Sequence, residues 1–160
     1  TGNMFAGVFS AAGGMVGFQQ LLAAFELTSW ETMFILLFIA FIAGFMLDLI
    51  SLMLIVVPIA MPIIVAQQFT DLTTGEMLAR GDIKVWFSIC FLIMIQTSYL
   101  TPPMAPAIFY LRGISPPEIT LMHMYKGVIP FILLHGVVLV GVLMVPQMAL
   151  WLPSILFRGF

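Results

Sequence analysis

The chain has 160 residues, 62% of them hydrophobic and 8% charged, with a formal net charge of −2. Soluble domains carry about 25% charged residues, so this balance places the chain in a lipid bilayer, and the small net charge does not suggest a nucleic-acid partner or a membrane-surface role. Cys90 is the single cysteine, which excludes an internal disulfide and a cysteine metal cluster.

In chain order, residues 1–31 come first, apolar from Met4 to Phe25 but interrupted by Gly13-Gly14 and Gln19-Gln20. They read as the end of a preceding helix followed by a shallow interfacial segment. No initiating Met stands at the start and Thr1 to Ala12 lacks a positive n-region, so the chain reads as one entered partway through, without a signal peptide. Thr28 and Glu31 stand at capping-box spacing and mark a helix start, with Trp30 placed as an interfacial aromatic.

Residues 32–66 contain Asp48 as their one charge. A straight helix of that length would measure about 50 Å against a hydrocarbon core of about 30 Å. A re-entrant hairpin with its tip near 44–51 accommodates it, with Pro58 and Pro62 kinking the outgoing arm; two short tilted spans joined by a buried turn are the alternative. A tip at membrane depth needs protein around it. Asp48 falls at that turn, where a carboxylate costs roughly 2.5 kcal/mol or more. It either coordinates an ion, relays a proton, or caps the half-helix that follows.

Residues 67–84 form an aqueous loop with Asp71, Glu76, Arg80, Asp82 and Lys84, and Trp86 marks re-entry into the interface. Residues 85–112 should then be a plain apolar helix. Instead the middle carries Gln96, Thr97, Ser98 and Thr101, followed by Pro102, Pro103 and Pro106. Each proline removes a backbone donor and disfavours helix at the residue before it, so Thr101 and Ala105 are expected to be extended. Backbone freed at membrane depth is tolerated where protein buries it or where it lines a cavity. Two half-helices meeting at an oxygen-rich break are how secondary transporters build ion and substrate sites. A proline kink satisfied by neighbouring helices is the other reading.

Arg112 ends this stretch and can snorkel to the interface. Ser115-Pro116-Pro117-Glu118 reads as a helix start within an interfacial segment, 113–127, where His123 is an interfacial polar residue. A terminal transmembrane helix, 128–153, ends near Trp151; its His135 has no second His or carboxylate at ligand spacing. Arg80, Lys84 and Arg158 share one side and Arg112 and Lys126 the other, a split too even to orient the chain. No Gly-rich phosphate loop, paired aspartate, Ser/His pair or His-Glu zinc motif is present, so no enzymatic activity is expected. A channel would show continuous polar stripes, whereas these polar residues cluster at the break. The fold class expected is an all-α integral membrane protein.

Several motifs in order carry a family resemblance. Gly44-Phe45-Met46-Leu47-Asp48, with Leu54 to Ile59 and Pro62-Ile63 after it, resembles the hairpin region of the large membrane subunit of TRAP (tripartite ATP-independent periplasmic) transporters. Gln96 to Met104 and Phe109 to Gly113 resemble that subunit's broken helix, in the branch often labelled mannitol/chloroaromatic-type. Tyr125 to Phe131 and Leu150 to Pro153 are similar to its C-terminal end.

The resemblance implies a sodium-driven importer of organic acids, multi-pass in the bacterial inner membrane. Its partners would be a periplasmic substrate-binding protein, a small TRAP membrane subunit and the remaining N-terminal part of the large permease. It implies an ion-transporter-like elevator fold of two inverted repeats, of which this chain matches the second. By position, sodium would be bound by Gly44, Ser98, Thr101 and Met104, and Na+ would be the coupling ion in place of any cofactor. Asp48, Gln96 and Thr97 would line the substrate pocket or serve as structural caps. Ser98 stands where many relatives have glycine, and Ala105 replaces the glycine usual after the prolines. A truncated or split relative acting as a non-transporting accessory subunit is the alternative function.

Overall fold

A computed structural model describes residues 7–8, 11–14, 16–17, 20, 27–45, 47, 49–101 and 106–157. Most of the first expected segment, together with Asp48 and Met104, lies outside the described residues. From Ser29 onward these residues form six helices: α1 Ser29–Ala43, α2 Leu49–Val65, α3 Arg80–Leu100, α4 Pro106–Ile114, α5 Leu121–Met144 and α6 Gln147–Phe157. Among the described residues there is no strand, only an isolated bridge between Thr70 and Met77. The chain is therefore all-helical, and α3 and α5 are long and apolar enough to cross a membrane.

Helix α1 begins where the capping box requires. The Thr28 amide donates to Glu31 Oε2 at 2.7 Å and the Glu31 amide to Thr28 Oγ1 at 3.3 Å, satisfying two donors the first turn leaves free. At 15 residues, α1 is about 22 Å long and α2 about 25 Å, both short of a bilayer core. The Ser29 hydroxyl donates to Gln67 Oε1 at 3.2 Å, which ties the start of α1 to the chain two residues past the end of α2. The two helices are thus antiparallel arms, the first ending at Ala43 and the second beginning at Leu49.

Helix α3 packs along both arms and runs parallel to α1. At one end the rings of Trp30 and Trp86 lie 5.6 Å apart at 82°, with Phe69 at 5.3 Å from Trp86 and 5.8 Å from Trp30, all edge-on. At the other end Gly44 lies against Ser98. Leu37, Leu52, Ile63, Phe87, Phe91 and Ile95 fill the space between, each at most 1% exposed. In a bilayer lipid tails are as apolar as leucine, so such packing stabilises through close contact and hydrogen bonds more than through transfer from water.

Several expected boundaries move. Helix α3 starts at Arg80, inside the stretch expected to be aqueous loop, and α5 starts at Leu121, inside the stretch expected to lie along the surface. Ser115 does not begin a helix: its hydroxyl donates back to the Leu111 carbonyl at 2.7 Å and closes α4. The Arg112 guanidinium, expected to snorkel, donates to the carbonyls of Pro116 and Ile119 and holds that turn. The cap of α5 is Thr120, whose amide donates to His123 Nδ1 at 3.3 Å. The terminal span breaks at Val145-Pro146, leaving α6 as a separate helix.

Candidate functional site

The break between α1 and α2 and the end of α3 meet at one place. Gly44 caps α1 with φ −65° and ψ −15°, a helical conformation open to any residue, so backbone freedom does not explain the glycine. Space does. A Cβ on Gly44 would overlap Ser98 Oγ, lie 3.0 Å from Ser98 Cβ and 3.3 Å from the Ala40 carbonyl oxygen. Ser98 is 0% exposed, so this contact brings the hairpin backbone against the hydroxyl with no intervening side chain.

The hydroxyls of the break point their protons back into α3. Thr97 Oγ1 donates to the Ile93 carbonyl at 2.8 Å, Ser98 Oγ to Ile95 at 2.8 Å, and Thr101 Oγ1 to Thr97 at 2.7 Å. A hydroxyl that spends its proton this way keeps its lone pairs as outward acceptors. Thr101 is extended, φ −86° and ψ 130°, as the proline after it demands. Its amide is shared between the carbonyls of Thr97 at 3.1 Å and Ser98 at 3.2 Å. Pro103 has no N–H to offer the Tyr99 carbonyl, so a further oxygen lacks its helical donor.

Two helix C-termini therefore converge, that of α1 at Gly44 and that of α3 at Thr101, each carrying partial negative charge. Neither has a basic residue in its last turn to offset it. Among the described residues no group of three His, Cys, Asp or Glu side chains could hold a metal ion. The donors on hand are neutral hydroxyl and carbonyl oxygens, hard ligands suited to a hard monovalent cation. Of the expected set the structure brings Gly44 and Ser98 into contact and sets Thr101 one turn beyond Ser98. Thr97 is half-buried and Gln96 exposed on the same turns, while Asp48 and Met104 lie outside the described residues.

Two other polar links were not expected. Trp86, expected at the lipid interface, is 0% exposed and donates its indole N–H to the Val142 carbonyl at 2.7 Å. That carbonyl would normally accept from residue 146, which is proline and has no N–H. The aromatic thus replaces the missing helical donor at the end of α5. In the loop, Asp71 is 1% exposed under a thin cover, and its Oδ1 accepts from the Thr73 hydroxyl at 2.6 Å and amide at 2.7 Å. Its Oδ2 accepts from Gln147 Nε2 at 3.3 Å, linking the loop to α6. The Thr73 hydroxyl holds the Asp71 carboxyl below the usual carboxylate range, outweighing desolvation.

The family model described as "Tripartite ATP-independent periplasmic transporter, DctM component" matches residues 1–148. The chain belongs to the DctM family of TRAP transporters. It is 25% identical over 118 residues to a protein of Haemophilus influenzae that carries the name of a TRAP transporter large permease protein. That alignment covers 74% of this chain and 26% of the relative, so the chain spans about a quarter of the length of the permease it matches. No solved structure matches the chain. DctM proteins are transporter components rather than enzymes, and membership of that family places the chain in a membrane, with which two helices long and apolar enough to cross are consistent.

Proposed function

We propose that this DctM segment is the second-repeat part of a sodium-coupled secondary transporter that imports organic acids across the bacterial inner membrane by an elevator mechanism. The observation that carries the reading is the contact of Gly44 with Ser98, where two helix C-termini and a row of back-bonded hydroxyls converge. In this reading Ser98 and Thr101 supply hydroxyl oxygens to sodium, and Gly44 and Met104 supply backbone carbonyls. Gln96, Thr97 and Asp48 line the substrate pocket or serve as structural caps. The N-terminus of α4 favours the substrate's carboxylate.

The arms α1 and α2 are each shorter than the hydrocarbon core, which supports a hairpin that enters and leaves by one face. The partners are the rest of the large permease, a small TRAP membrane subunit and a periplasmic binding protein that delivers the solute. The test is uptake of labelled organic acids into proteoliposomes containing the assembled complex with its binding protein. Uptake that requires sodium and falls at least about tenfold in Thr101→Ala supports the reading. Sodium-dependent uptake indifferent to Thr101 removes the site, and no uptake from any assembly containing this segment favours a non-transporting accessory subunit.

A further inference from the structure

Helix α5 is 24 residues long, about 36 Å, and is mostly bare along its length. A stripe of Val128, Ile132, Leu139 and Val142 is half-buried or buried, while Leu133, Val137 and Val140 are 65%, 69% and 54% exposed. His135 and Gly136 sit where the stripe meets the bare face, about 4 Å from the helix midpoint. The imidazole Nδ1 of His135 is buried without a hydrogen-bond partner, and Nε2 makes no hydrogen bond within the described residues. Next to it, a Cβ on Gly136 would meet nothing within 4 Å, so the backbone is open to close approach.

A lipid tail cannot satisfy an imidazole at that depth, and a polar group left unpaired there costs several kcal/mol. Among the described residues His135 belongs to no group of three or more His, Cys, Asp or Glu that could hold a metal ion. A polar side chain beside a small-residue notch is how helices associate inside membranes. The matched relative is about four times the length aligned here, so further permease helices are available to fill the notch.

We propose that the His135–Gly136 face of α5 seats a transmembrane helix of the permease outside residues 1–160, one that presents a hydroxyl, amide or carboxylate to Nε2, the ring nitrogen the fold leaves reachable. The inference rests on the family reading but not on sodium coupling. It is tested in the assembled permease with the photoreactive amino acid p-benzoylphenylalanine in place of Val140, one turn from Gly136 on the same side, and peptide mass spectrometry of the products. The expected product is a cross-link to a transmembrane peptide from outside residues 1–160. Cross-linking to lipid alone, or to α5 of a second copy, overturns the proposal. In the same background His135→Leu should lower the cross-link yield about three- to tenfold while His135→Asn retains it. Equal yields in all three backgrounds would remove the polar pairing. The readout does not depend on transport, so loss of uptake with the cross-link intact counts against the sodium-coupled reading alone.

Discussion

Ser98 Oγ occupies the space in which a side chain on Gly44 would begin. The two residues are 54 positions apart in the sequence, yet the glycine cannot gain a side chain unless the serine gives way. Gly44→Ala should therefore cost about 1–3 kcal/mol, the usual range for overpacking a tight contact. Ser98→Gly in the same chain should return most of that loss, because the overlapping atoms are those of the serine. Thermal unfolding of the four purified forms in detergent measures the coupling. Additive losses would show that the helix ends separate easily.

A second prediction concerns the end of α5. Trp86→Phe keeps a ring among Trp30 and Phe69 but withdraws the N–H from the Val142 carbonyl. The orphaned acceptor should cost about 1–3 kcal/mol. Pro146→Ala restores a backbone donor four residues on, so the double variant should regain part of the lost stability. A Pro146→Ala change that only destabilises in the Trp86→Phe background would contradict the replacement of one donor by the other.

The loop carries a pH dependence with a definite sign. Asp71 is lowered from the ordinary 3.8 by the Thr73 hydroxyl, so its contribution to stability is fully present above that value. It is lost only as the pH falls through the still lower folded value. Protease sensitivity of residues 67–79 should accordingly be flat from about pH 5 to 8 and rise in stronger acid. Asp71→Asn should make the loop more sensitive at neutral pH and remove that acid step. An unchanged acid step would place its origin in another carboxylate.

What could be read from the sequence was local. The Thr28–Glu31 capping box and the extended Thr101 follow from chemistry within four residues, and both are present. The proline run announces a break because a missing N–H is a property of the residue itself. The hydrogen bond of Trp86 could not be read locally, because its partner is a carbonyl 56 residues downstream. Ser115 had the right spacing to Glu118 for a cap, but its hydroxyl bonds back to the Leu111 carbonyl and closes the preceding helix instead. The Asp71–Gln147 link had no local signature at all. Gly44 and Ser98 entered one set through family resemblance; their spacing alone carries no hint that they touch.

The most direct test of the account is the thermal stability of the assembled permease in sodium, potassium and choline chloride at equal ionic strength. A ligand that binds the folded state raises the unfolding temperature by mass action. The account predicts a rise specific to sodium that is lost in Ser98→Ala and in Thr101→Ala but retained in Thr97→Ala. A rise equal for sodium and potassium, or one that survives both substitutions, would contradict a sodium site where the ends of α1 and α3 converge.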